Sequence, residues 1–293
     1  MEQAMKEYRT GALRYFSFSA YEELGFVRHG FSTREGGVSE GYLKSMNFSF
    51  DRGDRPEYVR ENYRRMAAAI AVEPDSFVVA RQTHTTNIRI VTAEDRGAGV
   101  LRERPYHDID GLMTDVPGIT LVTYHADCIP VYFVDPVHRA IALVHAGWRG
   151  TVEGIQQRAV ELMGEHYGTA AADLIVGIGP GICKDCYEVG EEVAEEFISC
   201  FGGDTEHILS APHTKVGGTR HWQLNLKEAN RRRLMRCGVQ AARIHLTELC
   251  TCCRSELFFS HRAAGVKRGL NAAFLAIQDT SQDLPHDKTL FSS

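Results

Sequence analysis

Two adjacent apolar segments constrain the fold of this chain more than any other feature. The first occupies 125–135 and the second 140–150, and both are rich in β-branched and small apolar residues. Asp135-Pro136-Val137-His138 separates them and has the composition of a turn. This pattern predicts two paired strands in the core of an α/β or α+β domain.

Each of these predicted strands has a metal-ligating or nucleophilic side chain at its polar end. Cys128 enters the first strand and His145 leaves the second, while His84 follows another apolar run over 77–80. Catalytic zinc is commonly held by three protein groups with a fourth position open, and two histidines and one cysteine satisfy that chemistry. A cysteine and a histidine also suit a nucleophile and its base, and either residue alone is often simply buried.

Polar residues beside these side chains extend the candidate site. We expect Asp127 to orient a histidine ligand, because metal-bound imidazoles usually donate their second N–H to a carboxylate. Arg149 is predicted to stand just before a helix that begins at Thr151, where a guanidinium and free backbone N–H groups can bind an anion. Packing of Arg149 on Trp148 is an equally good interpretation of the residue types.

Further polar residues are candidates for substrate binding. Arg34 and Asn47 lie in a segment over 28–50 that is rich in turn-forming residues, and both side chains can reach a phosphate or a sugar. Tyr187 precedes a predicted helix and can border the same cavity. These assignments compete with purely structural roles in a surface loop.

The composition is that of an ordinary globular protein. The chain has 293 residues, 43% hydrophobic and 24% charged, and no Pro/Gly/Ser-rich linker divides it. We therefore expect one domain over 1–281 and a polar tail over 282–293.

A formal net charge of −5 provides no basic surface for nucleic acid. With no signal peptide or membrane-length apolar run, and with eight cysteines expected to be reduced, we expect a cytoplasmic protein that does not bind membranes.

Five of the cysteines form a separate pattern in the second half of the chain. Cys183 and Cys186 have the C-x-x-C spacing, and Cys250, Cys252 and Cys253 form a second group. Together they can hold a structural zinc, although C-x-C-C is not the usual second half of such a site. Reduced thiols that pack in the protein interior are the competing interpretation.

Short motifs in a fixed order resemble those of the laccase-domain family, also called multicopper polyphenol oxidase-like and peptidoglycan editing factor-like. The resemblance extends from near residue 30 to near residue 270, and its most specific parts are Ala-Asp-Cys-x-Pro-Val and His-Ala-Gly-Trp-Arg-Gly. The chain departs from the family at His261, where a tyrosine is usual, and at Lys267-Arg268-Gly269. The matching segments are 31–39, Asn47, 82–84, Asp110, 126–131, 145–150, 179–180, 186–190, 250–251 and 259–262.

The resemblance implies a fold, an activity and a set of site residues. The implied fold is a single α+β domain with mixed β-sheets layered with helices, an α/β sandwich of the cytotoxic-necrotizing-factor-like cysteine hydrolase type. The implied activity is zinc-dependent phosphorolysis of adenosine, inosine or S-methyl-5'-thioadenosine, with adenosine deamination as a second activity. Substrates would be purine nucleosides and phosphate, and the protein would be a monomer or a weak homo-oligomer. The implied metal ligands are His84, Cys128 and His145. The implied catalytic residues are Cys128, Asp127 and Arg149. The implied substrate-binding residues are Arg34, Asn47, Gln82, Trp148, Tyr187 and Arg262.

Three other functions stay open from sequence. Copper in place of zinc would suit a polyphenol oxidase, but the chain has no H-x-H array for a multinuclear cluster. Cys128 and His145 would suit a cysteine-dependent hydrolase or deamidase, including one that edits peptidoglycan precursors. A non-catalytic protein that binds a partner is the third.

Overall fold

The structure, a computed structural model, describes residues 4–215 and 217–278. The predicted tail over 282–293 lies outside these residues. None of the helices in the described part of the chain is long and apolar enough to span a membrane. The helices are α1 (Ser19–Glu22), α2 (Pro56–Ile70), α3 (Trp148–Glu153), α4 (Ile155–Tyr167), α5 (Glu191–Phe201), α6 (Thr205–Ile208), α7 (Leu226–Arg236) and α8 (His261–Ala264).

The strands form two six-stranded sheets and one three-stranded sheet, and both large sheets mix parallel and antiparallel pairs. The first sheet has the strand order β1 (Met5–Thr10), β2 (Leu13–Phe18), β3 (Val27–Ser32), β15 (Asn271–Ile277), β7 (Thr120–His125) and β4 (Phe77–Val79). The second has the order β14 (Ile244–Leu246), β10 (Ile175–Ile178), β8 (Ile129–Asp135), β9 (Ala140–Ala146), β6 (Gly111–Thr114) and β5 (Ile88–Ile90). The small sheet has the order β11 (Glu188–Gly190), β13 (Arg220–Gln223) and β12 (His213–Thr214).

The two large sheets pack face to face, and helices cover their outer faces. Alternate side chains show this layering: Leu143 of β9 and Leu121 of β7 lie in the core between the sheets. Val144 faces α4 and α7 on the outer side of the second sheet, and Val122 faces α2 on the outer side of the first. Because both faces of β8 and β9 are buried, the sequences of these two strands are mostly apolar and do not alternate with polar residues. The predicted α+β domain of mixed sheets layered with helices is confirmed.

The hairpin of β8 and β9 places the candidate site. The two strands pair as predicted, and their antiparallel register joins Ile129 to Ala146 and Pro130 to His145. Cys128 therefore lies at the same end of the hairpin as His145. On the other side of β9, Gly111 of β6 pairs with Val144, which brings Asp110 next to His145. The site is thus built at one end of three neighbouring strands.

The helix that follows the hairpin begins earlier than predicted. It starts at Trp148, and Gly154, with a φ of 87°, separates the six-residue α3 from α4. Arg149 consequently lies in the first turn of α3 and not before the helix. Its guanidinium stacks over the Trp148 ring at 4.2 Å, which is the packing interpretation of this residue.

A buried histidine in β3 predicts an acid-sensitive fold. His29 accepts a 2.7 Å hydrogen bond from the Phe18 backbone N–H, and burial lowers the pKa of its imidazole to about 3. The unfolded chain therefore binds more protons than the folded one between the folded pKa and the unfolded value near 6.5, so stability falls as the pH falls through this window.

We expect His29 to contribute about 2 kcal/mol to the loss of unfolding free energy between pH 7 and pH 5. Urea unfolding of wild type and of His29→Gln at both pH values measures this contribution, because the variant lacks the titrating ring. Equal pH dependence in the two proteins would contradict it.

Candidate active site

Three side chains from separate parts of the chain face one another at the end of the β8–β9 hairpin. The ligand atoms of His84, Cys128 and His145 all lie within 4.8 Å of one another, and the two imidazole centroids are 4.9 Å apart. Gly147 keeps this space open, because a Cβ there would lie 3.3 Å from the Cys128 Sγ and 3.4 Å from the His84 Cδ2. The structure thus brings together the three residues predicted as metal ligands.

Asp110 organises both histidines of this group. Its fully buried carboxylate accepts a 2.8 Å hydrogen bond from the His145 Nδ1–H, which leaves Nε2 as the ring nitrogen that can bind a metal in place of a proton. The same carboxylate accepts backbone N–H bonds from Thr83, His84 and Thr85 at 2.9, 3.0 and 2.9 Å. These bonds hold His84 at a φ of 70°, a left-handed conformation that non-glycine residues adopt at a cost.

The prediction that Asp127 orients a histidine ligand is therefore wrong for His145. The carboxylate that accepts from the His145 Nδ1–H belongs to Asp110. Asp127 accepts instead from the Thr251 hydroxyl and from the Arg262 backbone N–H, each at 2.7 Å. Its φ of 91° turns the chain immediately before Cys128. Asp127 thus shapes the loop that presents the thiol and does not contact the imidazole of His145.

The electrostatics of this group favour a bound cation. Burial alone would lower the pKa of His145, but the Cys128 sulfur and the Asp110 carboxylate outweigh it and raise the pKa to about 9. Burial and the neighbouring His145 lower the pKa of His84. Burial would raise the pKa of Asp110, yet its bonds to His145 and to backbone N–H groups hold it at about 2. The permanent carboxylate and the sulfur therefore create a negative potential where the three ligand atoms meet.

An open cavity of about 590 Å³ adjoins the three ligands. Arg268 lines it, is only 9% exposed, and has a buried Nε without a hydrogen-bond partner among the described residues. An unpartnered buried guanidinium nitrogen is costly, so a ligand that accepts hydrogen bonds fits this position. The other residues that line the cavity are Ser49, Asp51, Arg52, Ala80, Arg81, Gln82, Thr83, His84, Arg104, Tyr124, Ala126, Cys128, His145, His261 and Leu270.

Of the predicted substrate-binding residues, one lines this cavity and two others stack on each other. Gln82 lines it, while its amide exchanges two 2.7 Å hydrogen bonds with the Tyr124 backbone. The Arg262 guanidinium stacks on the Tyr187 ring at 5.4 Å and donates to the Glu188 carbonyl. Burial, reinforced by the charge of the Cys128 sulfur, raises the pKa of the Tyr187 hydroxyl.

The other predicted substrate-binding residues have structural partners. Arg34 donates to the Lys44 and Ser255 carbonyls at 2.9 and 3.0 Å. Asn47 is fully buried, and its amide bonds Ser49, Asp54 and Leu270. Trp148 packs against the core on the outer side of the second sheet and beneath Arg149. The hydrogen bonds of Arg34 and Asn47 hold loops together, and a substrate-binding role for these two residues stays a prediction.

Two residues that matter here were missed or undervalued in the sequence. Asp110 is one of the positions that match the family, but only the pairing of β6 with β9 shows why it reaches His145. Arg268 lies where the sequence departs from the family pattern, and it nevertheless faces the cavity. Arg268 lies three residues before β15, which pairs with β7 in the first sheet. The sequence does not show this pairing and so does not indicate that Arg268 reaches the cavity.

Comparison with known proteins settles the family. Residues 28–278 match the family model described as multi-copper polyphenol oxidoreductase laccase. The chain belongs to the laccase-domain family. The hypothetical protein YfiH of Bacillus licheniformis is one of the solved structures that resemble this chain. The two structures superpose with a TM-score of 0.85 and 32% sequence identity, and the match covers 94% of this chain and all of YfiH.

Two curated relatives carry names of enzymes that act on nucleosides. One is a purine nucleoside phosphorylase of Bacteroides thetaiotaomicron, 36% identical over 258 residues, which covers 88% of this chain and 93% of that protein. The other, from an unknown prokaryotic organism, is named adenosine deaminase RL5 and is 32% identical over 255 residues, covering 85% and 95% of the two chains. Similarity to proteins with these names supports an enzyme of this kind.

Proposed function

We propose that this protein is a zinc-dependent purine nucleoside phosphorylase, acting on adenosine, inosine and S-methyl-5'-thioadenosine, with adenosine deamination as a second activity. The observation that carries the proposal is the set of His84, Cys128 and His145 at the wall of an open cavity that also contains Arg268. The names of the relatives support the choice of substrate.

The donor set fits zinc. Neutral imidazole nitrogen and thiolate sulfur are both zinc ligands, and three protein ligands with an open position are typical of catalytic sites. Asp110 bonds the His145 Nδ1, so Nε2 is available to the metal, as in many carboxylate–histidine–zinc arrangements. When bound, zinc supplies Lewis-acid activation at neutral pH.

Phosphorolysis needs a held phosphate and a proton for the departing base. A phosphate oxygen forms a bond to C1' of the sugar while the bond from C1' to the base nitrogen breaks, and a proton goes to that nitrogen. We assign the phosphate to Arg268, because this residue lines the cavity, its Nε has no hydrogen-bond partner in the described part of the chain, and guanidinium groups bind phosphate in a fixed geometry. His261 lines the cavity, and its Nδ1–H donates to the Gly265 carbonyl oxygen at 3.2 Å, so that the imidazolium form can give its Nε2 proton to the base and become the neutral ring.

The direct test is product analysis. The zinc-loaded full chain is incubated with adenosine, inosine or S-methyl-5'-thioadenosine, with and without inorganic phosphate, and products are separated by chromatography. We expect free base and sugar 1-phosphate only when phosphate is present, and inosine from adenosine in either case. Recovery of all three nucleosides unchanged would contradict the proposal, and release of base without phosphate would indicate a hydrolase.

Arg268 provides a second prediction. Replacing it with alanine removes a charge-assisted hydrogen bond to phosphate, and we expect KM for phosphate to rise about tenfold to a hundredfold with a smaller effect on KM for the nucleoside. Arg81→Ala removes the same charge from an exposed position on the same cavity and serves as the control. If the two substitutions raise KM for phosphate equally, the total positive charge around the cavity attracts phosphate and Arg268 has no specific contact with it.

A cysteine hydrolase is the second candidate. His145 lies beside the Cys128 thiol and bonds Asp110, which is the order of nucleophile, base and orienting carboxylate. Such an enzyme would also suit the implied sandwich of the cytotoxic-necrotizing-factor type and a role in editing peptidoglycan precursors. Amide hydrolysis by metal-free protein, lost on stoichiometric alkylation of Cys128, would favour it. A strong visible absorption band in copper-loaded protein would instead favour the polyphenol oxidase.

A further inference from the structure

A second group of metal-ligating side chains lies away from the cavity. The sulfur atoms of Cys183, Cys186, Cys250 and Cys253 all lie within 4.8 Å of one another. Two of the separations are 3.7 Å, between Cys183 and Cys253, and 3.3 Å, between Cys186 and Cys253. Four sulfurs at about 2.3 Å from a tetrahedral zinc would be about 3.8 Å apart, so a small adjustment accommodates the ion.

The two halves of this four-sulfur cluster have the spacing of zinc-binding turns. Cys183–Cys186 and Cys250–Cys253 are both C-x-x-C pairs, and the intervening Cys252 hides the second one in the sequence. The backbone N–H groups of Cys183 and Cys253 both point at the Cys250 sulfur, at 3.2 and 3.3 Å.

A buried cation lies next to the cluster. Lys227 is 4% exposed, and its Nζ donates to the carbonyls of Thr247 and Leu249, directly before Cys250. A buried ammonium group is costly without a balancing charge, which nearby Glu248 and ionised sulfurs of the cluster can supply. Zinc with four thiolates has a net double negative charge, whereas four protonated thiols have none. The metal-bound form therefore matches its surroundings better than the metal-free form.

We propose that Cys183, Cys186, Cys250 and Cys253 bind a structural zinc ion that joins the segment 181–187 to the segment 249–254. This zinc is independent of the proposed nucleoside chemistry. Four sulfur ligands leave no open position, so it would be a closed site. The joined segments support the catalytic loop, because Thr251 bonds the Asp127 carboxylate and the Ile182 N–H donates to the Asp127 carbonyl.

Metal content of the full-length protein tests this assignment. We expect two zinc ions per chain in wild type, one in Cys128→Ala, one in Cys253→Ser and none in the double variant. Cys252→Ser is the matched control, because Cys252 is adjacent in sequence but outside the four-sulfur group, and it should retain both ions. Cys253→Ser should also lower the melting temperature, since the two segments lose their link. A Cys128→Ala protein without zinc, or a Cys253→Ser protein with two zinc ions, would overturn the proposal.

X-ray absorption spectroscopy provides a test that does not require a cluster variant to fold. In Cys128→Ala we expect the remaining zinc to have four sulfur neighbours at about 2.3 Å. In wild type we expect more sulfur per zinc than the single atom that Cys128 supplies.

Alkylation after denaturation with a chelator and without reductant should modify all eight cysteines. Fewer modified cysteines would indicate a disulfide in place of the metal and would overturn the proposal, whether or not any nucleoside is consumed.

Discussion

Replacing Cys128 with alanine is expected to remove the catalytic zinc and to lower kcat/KM for nucleoside phosphorolysis by about a thousandfold or more. The reason is that a metal contributes several kcal/mol of transition-state stabilisation, and each 1.4 kcal/mol is about a factor of ten in rate. Steady-state kinetics and zinc analysis on the same sample measure both effects. Cys237→Ala, which removes a half-buried free thiol elsewhere, is the control and should retain activity.

A second substitution at this position separates a metal ligand from a nucleophile. Cys128→Asp provides an anionic oxygen that can bind zinc but cannot act as a thiol nucleophile. We expect it to keep part of the zinc affinity and part of the activity. If Cys128→Asp binds zinc fully yet shows no more turnover than Cys128→Ala, the sulfur itself takes part in the chemistry and the cysteine hydrolase is the better account.

Asp110→Asn is expected to weaken zinc binding by about tenfold to a hundredfold and to reduce kcat/KM at low zinc by a similar factor. Partners that hold a ligating histidine typically have effects of this size when they are replaced. Here the change also removes the negative charge that accepts from His145 and from the backbone of 83–85. Zinc affinity is measured by competition with a chelating dye, at a pH where wild type is fully active.

The neighbouring Asp108 provides a matched control for this prediction. It accepts a 2.9 Å hydrogen bond from the exposed Thr83 hydroxyl and has no hydrogen bond to His145 among the described contacts. Asp108→Asn therefore removes the same charge from the same loop without disturbing the imidazole. Wild-type zinc affinity in Asp110→Asn, or equal losses in both variants, would show that Asp110 does not position the ligand.

Much of the scaffold of the site could be predicted from local sequence pattern. The two continuous apolar runs identify β8 and β9, and an antiparallel hairpin necessarily brings its open ends together, so Cys128 and His145 become neighbours. Pro56 at the start of α2 similarly marks the first turn of that helix. These features depend on residues close together in the chain.

The parts that sequence reasoning missed depend on distant pairings. Asp110 reaches His145 only because β6 adds to β9, and nothing near Asp110 in the sequence indicates that partner. Arg34 and Asn47 looked available because the carbonyl and amide groups that engage them are contributed by other loops. By contrast, Cys250 and Cys253 have the C-x-x-C spacing in the sequence itself. The intervening Cys252 makes this segment look like C-x-C-C, which is not the usual pattern of a zinc site.

Anomalous diffraction at the zinc absorption edge, from crystals of the zinc-loaded full chain, tests the central claim most directly. We expect a peak within bonding distance of the His84 and His145 ring nitrogens and the Cys128 sulfur, facing the cavity that contains Arg268. Strong anomalous density at the four-sulfur cluster with none among these three side chains would contradict the account of a metal-assisted active site.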